Sequence, residues 1–463
     1  MSMRRYILVL LCASLAGCEK YVNIKTQGTL VPGSYENYRE MLDNTSEWEP
    51  APFLGDYASD DVQFVDSSAQ VVSLSSDDFY AHITNCYRWL PTIYLLGTYY
   101  AEDDNWNALY NTIAYANIVI TEAPSATGAT PAQIRELIAE ALVHRADAYL
   151  GLVNTYAKPY TAATASTDLG VPLVLTETTT QSLTRATMQD TYTQVLKDLR
   201  TALPSLPATQ AFNTLPSIPA VFGELARCFL YMNEYDSAAK YADSALSYRN
   251  TLDDLTQYQS ISAANYPLRK ADPEVLLSKV AGDGVSGYPP TAMRLSDTLL
   301  HVLDTTDQRY VLFTTDGSNI GFGYTGRYFY KDAAMGEARN DGPSVPEMML
   351  IKAEALARAG DASGAMNWVN ALRQKRFVNY VPLTATNAAD GLQKVLQERE
   401  REFFCRMLRW WDMRRLKSDP TFQETLTRVF EGVTYTLAPT SNRYVFRISD
   451  YDEKLNPEIQ QNP

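Results

Sequence analysis

The sequence predicts a mostly α fold. Tetratricopeptide-like helical hairpins form a scaffold, and an irregular, loop-rich region packs over it. Three observations predict this. Residues 217–248 and 345–376 place small side chains at the offsets such hairpins use. Several other long segments carry apolar residues every three or four positions. Between the hairpins, residues 250–344 are rich in Gly, Pro, Tyr and Asp and hold no long helical period.

Taken in order, residues 1–17 read as a lipoprotein signal peptide. Arg4 and Arg5 precede a short apolar run at 7–15, too short to span a bilayer. Leu15-Ala16-Gly17-Cys18 closely matches a lipobox, which makes Cys18 the lipidated residue. Residues 18–33 then form a lipidated tether and 34–463 a single domain. Within it, 34–249 and 345–463 are mainly helical scaffold and 250–344 is loop-rich. Several acyl chains on Cys18 would anchor the chain stably to a membrane.

Ser34 is placed to cap a helix over 34–42. Residues 48–76 read as loops with short extended pieces. A helix over 101–122 carries Trp106, Tyr110, Ile113, Asn117 and Ile120 on one stripe. Pro131 opens a second long helix to 156, where a first-turn proline is tolerated. These two should pair. A third helix covers 188–203, with Tyr192, Val195, Leu199 and Leu203 in register. In the first hairpin, Ala226, Ala238, Ala242 and Ala245 are the close-contact positions. In the second they are Ala353 and Ala365, with Gly360-Asp361 at the turn. A bulky residue at such a contact would overpack it.

Residues 397–415 mix charge and aromatics on one helical side. Plotted at 100° per residue from Leu392, the side chains of Val395, Leu396, Phe403, Met407, Trp410 and Met413 share a sector. Arg399, Glu402 and Arg406 lie inside it or at its edge. Charges on a buried face must be paired, so these groups should bind neighbouring segments.

This stretch resembles the C-terminal signature of the SusD/RagB family of Bacteroidetes outer-membrane lipoproteins. Glu398, Arg399, Glu402, Phe403, Arg409, Trp410, Asp412, Met413 and Arg415 fit it, whereas Arg406-Met407 replaces the usual Glu-Gly. The resemblance extends to the Trp106–Asn117 spacing, to 169–174, to Arg185-Ala186-Thr187, to Asp304…Asp307-x-Arg309, and to the Asn456-Pro457…Gln461-Asn462-Pro463 ending. It implies a SusD-like domain at 34–463 on the outer membrane, lipid-anchored and facing the cell exterior. It implies oligosaccharide as cargo and a SusC-like TonB-dependent transporter as partner. Peptide cargo, as for RagB-like members, and a lipid-anchored interaction scaffold are the alternatives.

Composition sets other bounds. The formal charge of −14 lacks the basic footprint of a nucleic-acid binder. His82, His144 and His301 lie far apart, and no Cys-x-x-Cys pair is present, so no metal site and no cofactor are called for. Asp103-Asp104-Asn105 offers oxygen ligands of the kind calcium takes, without an EF-hand's alternating loop. No phosphate-cradling loop, zinc-protease motif or nucleophile elbow is present, so a binding protein is expected rather than an enzyme. Tyr outnumbers Phe 31 to 15. Tyr suits wet contact surfaces because it joins an apolar face to a polar end. Loop aromatics beside polar residues are therefore the candidate ligand contacts: Trp89, Tyr94, Tyr99, Tyr100, Tyr288 and Tyr324. Trp106 and Trp410 lie on helix stripes and read as core.

Overall fold

The structure, a computed structural model, describes residues 32–178, 181–281, 290–321 and 323–463. The signal peptide, Cys18, most of the tether and Tyr288 fall outside the described residues.

Ten helices carry the scaffold: α1 (Tyr35–Asp43), α2 (Asp104–Glu122), α3 (Pro131–Tyr156), α4 (Met188–Ala202), α5 (Ile218–Tyr231), α6 (Tyr235–Tyr248), α7 (Val345–Arg358), α8 (Ala362–Arg373), α9 (Ala388–Phe403) and α10 (Met407–Leu416). Their starts follow local chemistry. Ser34 caps α1 and Thr130 caps α3, each in a reciprocal capping box three residues long, and Pro131 takes the first turn of α3. In the α5–α6 hairpin, Ala226, Ala238, Ala242 and Ala245 are fully buried at the contact; Ala353 and Ala365 are fully buried in α7–α8. The expected tetratricopeptide-like hairpins are therefore present.

Helices α2, α3 and α4 are tied by one guanidinium. Arg145 of α3 donates to Asp198 of α4 at 2.8 Å and to Asn117 of α2 at 2.8 Å. Asn117 in turn donates to the carbonyls of Val174 and Thr176. Tyr110 donates to Pro172, the end of strand β2 (Leu169–Pro172). The Trp106–Asn117 spacing thus clamps the segment after α3 onto the helix pair. Strand β2 pairs antiparallel with β3 (Arg185–Thr187). From β3, Arg185 reaches Asn462 at 2.8 Å, and Asn462 donates to Tyr156 and Phe446. The carboxyl-terminal tail is therefore bolted to the end of α3.

Two sequence expectations need correction. Residues 48–76 hold short helices at Thr45–Trp48, Gly55–Ala58 and Ala69–Ser75, not only loops and extended pieces. The signature stretch is two helices rather than one. Phe404 is extended, Cys405 is left-handed at φ 54° and Arg406 is extended, which breaks the helix. The apolar side chains on both sides of the break, Phe403 and Met407 among them, still point inward and share one sector.

In the described part of the region 250–344, the helices Asp297–Val302, Gln308–Phe313 and Lys331–Met335 are short. Its strands β4 (Val280–Ala281), β5 (Thr314–Asp316) and β6 (Arg327–Phe329) are short. Strand β4 runs parallel to β1 (Pro50–Ala51), while β5 and β6 are antiparallel with Thr314 opposite Phe329. Leu255, Ile261, Tyr266, Leu312 and Met335 form a small core of its own. Charged anchors hold it to the scaffold. Arg309 bonds Asp307, Glu398 and Glu402; Arg376 bonds Glu274 and Glu402. Arg399 and Arg415 both bond Asp412, and Arg415 also bonds Glu354 of α7. The signature's buried charges are thus paired with neighbouring segments. Near the carboxyl terminus, β7 (Leu426–Phe430) and β8 (Val433–Leu437) form a hairpin. Its two-residue turn, Glu431-Gly432, has positive φ at both positions, as a type I′ turn requires. Cys86, Cys228 and Cys405 are all free and buried.

Candidate functional site

The loop 89–100 sorts its aromatics into inner and outer sets. Trp89 is left-handed at φ 53°, and its indole N–H donates to Ala58 at 2.9 Å. The Arg428 guanidinium of β7 lies 4.2 Å from that ring. Asn85 donates to Ile93, which pulls Ile93 and Tyr94 inward. The Tyr94 hydroxyl accepts from Asn105 at 3.0 Å. The chain then turns out: Leu95, Leu96 and Tyr99 are exposed, and Thr98 closes the turn onto Leu95 and Tyr100. Gly97 sits at φ 90°, where a side chain would strain the backbone.

Tyr99 and Tyr100 are brought together, with ring centroids 4.9 Å apart. Phe79 stands 5.1 Å from Tyr99 and 5.3 Å from Tyr100. Asp77 fixes Phe79 by accepting its backbone N–H at 2.9 Å. Tyr80 packs edge-on to Phe79, and His82 lies beneath Tyr100 at 4.4 Å. Burial holds the His82 imidazole down to about 4, so it is neutral at physiological pH. The result is an aromatic surface packed on a buried base of His82. Tyr99 is 72% exposed at its top. Trp89 and Tyr94 lie in the interior and support the loop from inside. Trp106 and Trp410 are buried, as read from their stripes.

Tyr324 lies apart from this surface. Its ring stacks on Tyr328 at 6.1 Å and half-faces solvent. It shares a small cavity with Ser68 and Gln70. The short helix Ala69–Ser75 touches both the turn Asp78–Tyr80 and the turn Pro290–Ala292, and Gln70 donates to Thr291 at 2.7 Å. This helix therefore stands between the Tyr99 surface and the Tyr324 loop. Sequence reasoning missed Phe79, Tyr80 and His82. Phe79-Tyr80 follows Asp77-Asp78, an aromatic pair beside polar residues, which is the same signal that picked out Tyr99-Tyr100.

Asp103 is a helix cap. Its carboxylate accepts from the backbone of Asn105 and Trp106 and from the Tyr156 hydroxyl at 2.6 Å. Burial pushes it up to about 6 despite these donors. Among the described residues, the carboxylates that could share an ion are Asp253, Asp272 and Glu274. Arg376 already donates to Glu274 at 2.7 Å, and Lys331 also lies close enough to oppose the cluster's charge.

Known proteins share this architecture. A family described as starch-binding and associating with the outer membrane matches residues 36–230, and the SusD family matches residues 321–463. A SusD-like protein P2 from Formosa agariphila is 24% identical over 377 residues, covering 68% of this chain and 73% of its own. A SusD superfamily protein from Bacteroides vulgatus superposes with a TM-score of 0.72 at 19% identity, over 93% of this chain and 99% of its own. A laminarin-binding SusD-like protein superposes with a TM-score of 0.64 at 17% identity, over 94% and 100%. No described helix is long and apolar enough to cross a membrane. With the helical hairpins, the paired signature charges and these matches together, the chain belongs to the SusD/RagB family.

Proposed function

We propose that the protein captures oligosaccharide at the cell surface and passes it to a SusC-like TonB-dependent outer-membrane transporter. The observation that carries this reading is the aromatic surface of Phe79, Tyr99 and Tyr100, packed on His82 from below and exposed at Tyr99. Flat rings stack on the C–H faces of sugars, and tyrosine hydroxyls reach sugar oxygens. Rigid rings lose little freedom on binding. This reading also assigns Tyr288 and Tyr324 to ligand contact. Trp89 and Tyr94 act through the loop they support. Matches to starch-associated and laminarin-binding relatives support glycan as the ligand class.

In this reading residues 1–17 direct export, Cys18 carries the lipid, 18–33 are the tether, and 34–463 are one domain held outside the cell. The protein binds and delivers, without catalysis. Isothermal titration of the full chain with starch- and laminarin-derived oligosaccharides tests the cargo, and copurification from solubilised outer membrane tests the transporter. The acidic balance of the chain favours basic peptides as the rival cargo. Saturable binding of peptides alone would move the assignment there.

A further inference from the structure

A second groove lies away from the Tyr99 surface. It has a volume of about 480 Å³ and runs between the signature helices α9 and α10 and the segment 417–426. None of Phe79, Tyr80, Tyr99 or Tyr100 lines it. That volume is in the range of small-molecule clefts.

Its chemistry comes from one face of α9. Gln393, Gln397 and Glu400 follow one another at four- and three-residue spacing and all line the groove. Neither glutamine amide has a side-chain hydrogen-bond partner among the described residues. Beside Glu400, at 3.5 Å from its carboxylate, Arg409 holds Asp60 at 2.7 Å. Phe422 also lines the groove and is half-buried.

These groups select for a class of ligand. Carboxylates and guanidinium stand side by side, so neither a cation nor an anion meets a field of one sign. A lipid chain would leave Asp60, Glu400 and Arg409 facing hydrocarbon, at high cost. A neutral polyol meets none of these penalties. Its hydroxyls donate to carboxylates, accept from Arg409, and do both with the planar amides. Phe422 offers an apolar face to the ring.

We propose that this groove is a second saccharide-binding site, separate from the Tyr99 surface, in which Gln393, Gln397 and Glu400 read the hydroxyls of a sugar unit and Phe422 stacks on it. The choice of sugar rests on the glycan reading above. The groove continues past Asp60, Thr298 and Leu426 into a neighbouring cavity of about 370 Å³ lined by Val65. Val65 also lines the small cavity beside Tyr324.

The test is calorimetric titration of the full chain with maltoheptaose and laminarihexaose, for the unsubstituted protein, Tyr99→Ala and the Gln393→Ala/Gln397→Ala double variant. The glutamines make no internal bond, so the double variant keeps its fold, which circular dichroism checks. Two binding events are expected for at least one sugar. The double variant should weaken one of them at least tenfold and spare the other. Tyr99→Ala should do the reverse. A single event that Tyr99→Ala abolishes and the double variant leaves untouched overturns the groove and keeps the proposed function. No binding of either sugar by the unsubstituted protein overturns both. Binding of peptides in the groove, lost in the double variant while neither sugar competes, overturns the saccharide assignment alone.

Discussion

The guanidinium of Arg309 donates to the carboxylate of Glu398 at 2.7 Å, and neither side chain reaches solvent. Arg309 belongs to the loop-rich region and Glu398 to the signature helix α9. Arg373 and Arg401 share the same carboxylate. One carboxyl group thus joins the irregular region, the second hairpin and the signature. Glu398→Ala leaves Arg309 short of one partner in a dry site, and the expected loss is about 3–5 kcal/mol. Lys352, half-buried, pairs with the exposed Asp243 at the surface, so Lys352→Ala should cost less than about 1 kcal/mol. Urea denaturation measures both. Equal effects would remove the special role of Glu398.

The same groups set an acid limb. Burial alone would raise the Glu398 carboxyl, but Arg309, Arg401 and Arg373 outweigh it and hold it at about 2. For Asp412, Arg399 and Arg415 outweigh burial in the same way, also to about 2. A carboxyl lowered on folding stabilises the native state above its unfolded value and loses that contribution as pH falls. The unfolded values are about 4.3 and 3.9, so stability should fall from about pH 4.5 down to 2. Glu274 and Asp341 behave oppositely. Burial lifts both to about 7, so their contribution is full at low pH and fades as pH rises toward 7. Denaturation midpoints of Glu398→Gln against pH should show a shallower acid limb than those of the unsubstituted protein. Parallel limbs would contradict the assignment.

The hairpin contacts are predicted to be intolerant of bulk. Ala242 is fully buried where α6 meets its neighbours. Ala242→Leu should lower stability by about 1–3 kcal/mol. A thermal melt reads this directly, and an unchanged midpoint would mean the helices can move apart freely.

Asn462 fixes the tail with both ends of its amide. It accepts from Arg185 at 2.8 Å and donates to Tyr156 at 2.7 Å and Phe446 at 2.8 Å. Asn462→Ala strands buried groups, at about 1–3 kcal/mol. Hydrogen exchange should rise at 445–463 and at the end of α3. Unchanged protection there would sink this role for the tail.

Local rules reached much of this fold because several local signals agreed. Ser34, Thr130 and Pro131 mark helix starts through bonds made within three residues. Alanine offsets mark hairpins because two helices must touch there. Even the pairing of Arg399 and Glu402 was legible, since a charge on an apolar sector must find a partner. The partners themselves, Asp412, Arg309 and Arg376, were not legible, because their approach is set by tertiary packing. The break at Cys405 was hidden because Phe403 and Met407 stay in phase across it. The site was less legible for the same reason. Trp89 and Tyr99 carry the same loop signal, yet Ala58 and Arg428 hold one inside while the other stands in water. Those partners lie 31 and 339 positions away in the chain.

Capture of sugar by the Tyr99 surface can be read from the affinity of the full chain for maltoheptaose and laminarihexaose, with and without Tyr99→Ala. Tyr99 stands clear of the core, so its removal should spare the fold. Saturable binding of at least one sugar is expected at this surface, weakened about tenfold or more by the substitution, a loss of about 1.4 kcal/mol. Binding that the substitution leaves unchanged, or no binding of either sugar, would contradict it.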